Sequence, residues 1–402
     1  MIQKEKHDQL VQDGSLPPSD FHDHIERIRE VAKYNLEISK TLIDSLKSSI
    51  ADYVIDQEKI EEIATAIMVG HVIFQGPPGT GKSSLARLIS KAFNCSLVAV
   101  TAHEQWSTFE LIGKQTLVIE NGQQVIKPEN GFFTESVILC ANAIVRHFDE
   151  PTEPQATWLL IDELNRAHID RAFGELFSLM GSPDAPSIIL QHQYAGNREL
   201  KTPNRFRIIG TINSIDKQFV NSLSQAIRRR FTFITIDIPP KRSTGIDWLD
   251  KSDELAIREF RIVIENASQR NRKRFNDDRS LSSIDDIVKR EGVVQQVKNL
   301  FDLAEAVRYS VKESQIPHLP IGTAQLIDVV ELFLARLIVT DHAEYEDSMD
   351  WAASIKFAPS FEADSVSPSS ISQFVNSLQK PFTTHFKREL LQIVAAGLYY
   401  VK

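Results

Sequence analysis

The sequence predicts an α/β domain followed by a mostly helical one. Three observations carry that prediction. A glycine-rich turn, Gly76-Pro77-Pro78-Gly79-Thr80-Gly81-Lys82-Ser83, lies between an apolar run, His71 to Gln75, and a segment from Ser84 to Ile89 that reads as the start of a helix. Two later apolar runs end in polar residues, Trp158 to Ile161 in Asp162-Glu163 and Phe206 to Ile212 in Asn213. Strands of a parallel sheet do this when their carboxyl ends face a ligand crevice. After Pro239-Pro240 the apolar residues recur mostly at helical spacing.

Composition sets the outer bounds. The chain has 402 residues, 42% hydrophobic and 25% charged, which is ordinary for a globular protein of two or three domains. A formal net charge of -9 argues against broad nonspecific binding to nucleic acid, while leaving room for a local basic groove. Cys95 and Cys140 form no CxxC pair, so a reducing compartment and buried, unreactive thiols are expected. The charged start, Met1 to Lys6, has no apolar segment behind it and reads as no signal peptide. The most apolar stretch, Val329 to Val339, is interrupted by Glu331 and Arg336 and is too short for a membrane span. A cytoplasmic protein is the expectation.

In chain order, residues 1–20 read as a polar leader, and Phe21 to Ile50 carry apolar residues at helical spacing. Asp56 is placed to cap a helix bearing Ile60, Ile63, Ala64 and Ile67, which Gly70 stops. Ser96 to Val100 is a second strand. Asn121-Gly122 between the apolar runs Gln115–Ile119 and Gln124–Ile126 predicts a β-hairpin, because both turn positions accept positive φ. The helical pattern resumes at Gly131. A helix is expected over Asp170 to Met180, then a second hairpin from Ser187–Leu190 and Glu199–Lys201 around Tyr194-Ala195-Gly196-Asn197. Ser222 to Arg230 reads as a helix ending in Arg228-Arg229-Arg230, and Phe231 to Ile236 as a strand. The domain boundaries follow: a leader and helical element over 1–50, an α/β core over 51–240 and a helical lid over 241–402. Within the lid, the basic run Arg270 to Arg274 reads as a solvated helix face rather than a nucleic-acid patch.

The glycine-rich turn fits the phosphate-loop pattern at every fixed position, in the strand-to-helix context that pattern requires. Its backbone N–H groups converge on a β-phosphate, and the following helix adds the partial positive charge of its N-terminus. Gly76, Pro77, Pro78, Gly79, Thr80, Gly81, Lys82, Ser83 and Ser84 are therefore the expected nucleotide-binding positions. Lys82 would lie along the β- and γ-phosphates, and the Ser83 hydroxyl would ligate Mg²⁺. Asp162 would orient the metal, and Glu163 would polarise the attacking water. Asn213, ending a neighbouring strand, would reach the γ-phosphate or that water. The Arg228 to Arg230 cluster reads either as a solvated helix end or as an arginine finger offered to a neighbouring subunit. His192, Tyr194, Asn197 and Arg198 in the second hairpin are candidate contacts to a protein or nucleic-acid client.

Together Gly76 to Ser83, Leu159-Leu160-Ile161-Asp162-Glu163-Leu164-Asn165-Arg166-Ala167, Gly210-Thr211-Ile212-Asn213 and Ala226-Ile227-Arg228-Arg229-Arg230-Phe231 resemble the AAA+ ATPases, and within them the MoxR-like and McrB-like, dynein-related branch. The two hairpins fall where that branch carries its helix-2 insert and its pre-sensor hairpin. The resemblance implies a five-stranded parallel sheet with helices on both sides, a helical lid, and ATP with Mg²⁺ bound at the subunit interfaces of a ring, usually a hexamer. It assigns sensor 1 to Asn213 and the arginine finger to Arg228, Arg229 or Arg230, with Arg230 first, and places Arg166 near the subunit interface. The lid departs from the family pattern: Leu319-Pro320-Ile321-Gly322-Thr323-Ala324-Gln325 has no arginine where sensor 2 belongs. ATP and GTP are not discriminated by these residues. A separate partner is implied, of von Willebrand type in the MoxR reading or a nuclease in the McrB reading. The rival from another class is a nucleotide-gated scaffold with little turnover.

Overall fold

The computed structural model describes residues 32–38, 42, 44, 46, 48, 53–120, 123–174, 176, 188–194, 197–200, 202–213, 224–252, 254–275, 284–310, 316–340, 344–363 and 366–400. Nine strands occur among them: β1 His71–Gly76, β2 Cys95–Thr101, β3 Gly113–Glu120, β4 Gln123–Asn130, β5 Ala156–Asp162, β6 Ile188–Tyr194, β7 Asn197–Leu200, β8 Ile208–Asn213 and β9 Phe231–Thr235. Five of them form one sheet in the order β2-β5-β8-β1-β9. All of its neighbouring pairs are parallel.

The strand order follows burial. Every residue of β5 from Ala156 to Ile161 is buried, and so are Val72, Ile73 and Phe74 of β1 and Ile208 to Ile212 of β8. Continuous apolar runs suit central strands covered by helices on both faces. The edge strand β9 instead alternates, with Phe231 and Ile234 buried and Thr232 and Thr235 exposed. The helix Gln57–Val69 begins directly after Asp56, buries Ile60, Ile63 and Ile67, and stops at Gly70, whose N–H donates to the Ala66 carbonyl at 3.0 Å.

Both hairpins are present, and their strands run longer than expected. β3 and β4 pair antiparallel from Gly113↔Asn130 to Glu120↔Gln123, and the turn residues Asn121 and Gly122 lie outside the described residues. Gly131 then caps the helix Phe132–Asp149, and only glycine fits there: a Cβ would collide with the Leu111 carbonyl and lie 2.6 Å from the Glu110 oxygen. In the second hairpin Tyr194 pairs with Asn197, and the ladder is irregular between Ile189 and Tyr194. Its turn, Ala195-Gly196, and the side chains of His192, Tyr194, Asn197 and Arg198 lie outside the described residues. The expected helix from Asp170 is present as Ile169–Phe173, with most of its continuation outside the described residues. Likewise the arginine-bearing helix is described over Gln225–Arg230.

The chain divides into two compact units, one containing residues 57–76 and 82–236 and the other 77–81 and 237–402. The second is built from the helices Leu255–Arg274, Glu291–Arg308, Thr323–Thr340, Tyr345–Lys356, Pro368–Ser377 and His385–Tyr400, with shorter pieces between. Its core contains a cluster of Trp248, Phe260 and Phe301 with ring centroids 5.0–5.8 Å apart. The basic run does not form an open cationic patch. Arg270 pairs with Asp328 and Glu331, each at 2.9 Å, Arg274 with Glu331 and Arg272 with Asp285, while Asn271 is fully buried. Among the described residues no helix is long and apolar enough to cross a membrane.

Candidate nucleotide site

Parallel pairing brings the polar strand ends into one row. β5 pairs with β8 up to Ile161↔Gly210, so Asp162 and Thr211 come next on adjacent strands, and Gly76 lies opposite Asn213 in the β1–β8 ladder. Thr211 and Asn213 are two residues apart and therefore project from the same face of the sheet. Gly76 must lack a side chain, because a Cβ would collide with the carbonyl oxygen of Ile236 just beyond β9.

From this row a hydrogen-bonded set is assembled. The helix Lys82–Ala92 starts at the end of the phosphate loop and presents Lys82 and Ser83 in its first turn. Ser83 Oγ donates to Asp162 Oδ1 at 2.7 Å. The same carboxylate oxygen accepts from Thr211 Oγ1, which in turn accepts the Glu163 N–H at 2.9 Å. Thr211 thus fixes both acids: it holds the Asp162 carboxylate and pins the backbone of Glu163. That matters because Glu163 sits in the left-handed region, at φ 53° and ψ 45°, a conformation that a residue other than glycine keeps only when its surroundings enforce it. The short 3₁₀ turn Leu164–Arg166 follows and folds Arg166 back onto Glu163, with Nε 2.8 Å from Oε2.

Lys82 is buried, at 6% exposure, and its Nζ donates to the Gly76 carbonyl at 2.9 Å. Burial pushes its pKa down to about 8, against the opposing pull of Asp162 and Glu163. A buried ammonium on a backbone carbonyl, with carboxylates nearby, suits a polyanion that brings its own negative charge. Loop residues Gly79 and Gly81 have φ of +76° and +81°, values that a side chain would strain, and Thr80 Oγ1 donates to the Pro77 carbonyl at 3.0 Å. The side-by-side hydroxyl and carboxylate of Ser83 and Asp162 are hard oxygen donors of the kind Mg²⁺ takes alongside phosphate and water. The residues present therefore fit both a nucleotide and its metal.

Residues 71–231 match the family model described as AAA domain (dynein-related subfamily). This stretch is an AAA domain of that subfamily. Members of the AAA+ family are nucleoside triphosphatases. The chain is 27% identical over 204 residues to the type IV methyl-directed restriction enzyme EcoKMcrB subunit of Escherichia coli, a match covering 50% of this chain and 42% of that protein. It is 23% identical over 241 residues to midasin of Giardia intestinalis, covering 59% of this chain and 4% of that protein. The match thus takes in less than half the length of each of these curated relatives. A solved RuvB point mutant of Thermotoga maritima superposes with a TM-score of 0.40 and 14% identity over 74% of this chain and 68% of that one.

Within the AAA domain, the arginine cluster stands apart from the row of acids. Arg230 immediately precedes β9, and the first residue of β9, Phe231, pairs with His71 at the start of β1, whereas the phosphate loop leaves from the end of β1. Arg230 Nη1 folds back on the Ala226 carbonyl at 3.0 Å, and Arg228 and Arg229 are exposed. Sequence reasoning missed Thr211. Its signal was a polar residue inside a buried apolar strand, two positions before Asn213, and it acquires meaning only once β8 is known to lie beside β5.

Proposed function

We propose that the chain binds and hydrolyses ATP in a homo-oligomeric ring, a hexamer, and uses the cycle to remodel a protein or nucleic-acid client in the cytoplasm. The observation that carries this reading is the connected set Ser83–Asp162–Thr211–Glu163 beside buried Lys82. In this reading the loop amides of 76–84 and Lys82 hold the phosphates. Ser83 and Asp162 would hold Mg²⁺, which would supply neutralising charge to the phosphates. Glu163 takes the proton of the attacking water, and Asn213 orients that water or the γ-phosphate.

Arg230, with Arg228 and Arg229 as alternatives, acts on a neighbouring subunit's nucleotide. The register supports a role in trans: β1 separates His71 from Gly76 by five residue steps, about 17 Å at the usual strand rise, too far for an arginine beside His71 to reach its own phosphate loop. Similarity to a subunit of a methyl-directed restriction enzyme favours a second reading, an NTPase motor, using GTP or ATP, that drives a partner nuclease against foreign DNA. A von Willebrand-type partner belongs to the first reading.

The test separates the phosphate cradle from water activation. Lys82→Ala is expected to abolish nucleotide binding. Glu163→Gln is expected to keep binding and lower turnover by about 10²- to 10⁴-fold, the range for loss of a general base. Nucleotide titration and phosphate release measure the two effects. Turnover in Glu163→Gln equal to that of the unmodified chain would refute the assignment.

A further inference from the structure

The segment Leu319 to Gln325 carries no arginine, yet it touches the phosphate loop directly. The loop residues 77–81 cluster with the helical unit. Ala324, in the first turn of the helix Thr323–Thr340, donates its N–H to the Gly79 carbonyl at 2.9 Å. Gly322 lies so close that a Cβ there would collide with the Pro78 carbonyl and come within 2.7 Å of the Gly79 Cα. The φ of Gly322 is outside the left-handed region, so contact with the loop, and not its own backbone conformation, demands glycine at this position.

The platform behind Gly322 is rigid. Arg308 Nε donates to the Ile321 carbonyl at 2.8 Å, and its guanidinium makes a buried two-pronged pair with Glu259 at 2.7 and 2.8 Å. Glu259 also accepts from Thr323 Oγ1 at 2.6 Å. Gln325 Oε1 accepts the Gly322 N–H at 2.9 Å, while Gln325 Nε2 donates to Ser360 Oγ at 3.0 Å.

A trans peptide is planar, with its C=O and N–H pointing in opposite directions. A donor that holds the Gly79 carbonyl toward the lid therefore fixes the Thr80 N–H pointing away from it. Thr80 N–H is one of the loop amides available to phosphate, and setting its direction beforehand reduces the ordering that binding must complete.

We propose that Gly322 and Ala324 are positioning residues for nucleotide binding: the lid presets the phosphate loop by backbone contact at Gly79 in place of a charged side chain on the nucleotide. The proposal rests on the nucleotide reading above.

Two variants of the full chain test it. Gly322→Ala pushes a methyl group against the loop, and Ala324→Pro, at a first-turn position where proline is tolerated, removes the donor and sets a ring carbon against the Gly79 carbonyl. Thermal unfolding without nucleotide establishes that each variant folds. Affinity is read by titration with a fluorescent ATP analogue and Mg²⁺, and turnover at saturating ATP is read separately. The expected result is affinity weakened about tenfold in each variant, with kcat changed less than about threefold. Unchanged affinity in the folded variants overturns the proposal, as does a loss confined to kcat. If Gly322→Ala does not fold, Ala324→Pro decides alone. Failure of the unmodified chain to bind the analogue removes the nucleotide reading itself, whereas binding there and in both variants alike removes only the role of the lid.

Discussion

The two ends of the central sheet both bury cations, but they satisfy them differently. At the strand starts, Arg205 is 2% exposed and gives its N–H groups to the Asn35 carbonyl at 2.8 Å, the Gln155 carbonyl at 3.4 Å and Glu37 Oε1 at 2.5 Å. Arg207 does the same for the Ile67, Asn204, Phe206 and Met68 carbonyls, three of them at 2.7–2.9 Å. Ile67 and Met68 end the helix Gln57–Val69, where a cation also meets the negative end of the helix dipole. At the strand ends, Lys82 has one backbone carbonyl and two nearby carboxylates, and the hydroxyls of Ser83 and Thr211 converge on a single Asp162 oxygen. The first arrangement is closed mainly by backbone carbonyls, with Glu37 as its one carboxylate partner among the described residues. The second uses side-chain oxygens that exchange readily for phosphate, water and metal. A buried charge alone therefore does not mark the site; what marks it is a buried charge whose partners are replaceable.

The strongest test of that contrast removes one group from each end. Asp162→Asn is expected to lower turnover by at least about 10²-fold, because it removes the metal-binding charge while its amide oxygen can still accept from Ser83. Its unfolding midpoint in urea is expected to move little. Arg207→Met should do the reverse, costing about 3 kcal/mol of stability by stranding four carbonyl oxygens, with kcat within about threefold of the unmodified chain. If Asp162→Asn unfolds the protein while Arg207→Met silences it, the contrast is wrong.

Thr211→Val is a smaller and more divided case. It leaves the Glu163 N–H without its acceptor, at a cost of about 1–3 kcal/mol. It also frees a strained backbone that carries the proposed base, so turnover should fall about tenfold with nucleotide affinity nearly intact. Thr211→Ser restores the hydroxyl and should recover both properties. Equal turnover in the valine variant would show that Glu163 is held without Thr211.

How much of this was readable beforehand divides along the same line. The core strands were legible because central parallel strands are uninterrupted apolar runs, and the order of glycines, Lys82 and Ser83 is a local pattern. Ser83 and Asp162 were named from two motifs far apart in sequence, and they are hydrogen-bonded. Arg205 and Arg207 were not legible. Arg205 precedes and Arg207 falls inside the run Phe206 to Ile212 that reads as a strand, whereas the strand begins at Ile208, and their partners at 35, 37, 67 and 68 are distant in sequence. Gly322 was equally silent, since its requirement comes from the loop 77–81 lying against it. The run Arg270 to Arg274 was expected to be solvated, and only the packing of the helices Leu255–Arg274 and Thr323–Thr340 showed that Glu331 answers two of its arginines.

The last prediction concerns pH, where the strand-start end should respond without any chemical step. His71 opens β1, and its Nδ1 accepts the Ile208 N–H at 3.0 Å, which requires the neutral ring. Burial, with the Arg207 charge nearby, lowers its pKa to about 3 from an unfolded value of 6.5. As pH falls below 6.5 the unfolded chain takes up a proton that the folded chain refuses until about 3. The stability contributed by the neutral ring is thus fully present above pH 6.5 and is lost as pH falls toward 3, with a slope of up to about 1.4 kcal/mol per pH unit. Other groups titrate in the same window, so the measurement is a difference. Urea unfolding at pH 7.5 and 5.0 is compared for the unmodified chain and His71→Gln, which keeps an acceptor but has no proton to gain. The glutamine variant should lose less stability on acidification, by up to about 2 kcal/mol over that interval. Equal losses would mean that His71 is protonated within the fold, and the strand-start end would then hold an exchangeable charge of the kind assigned above to the opposite end alone.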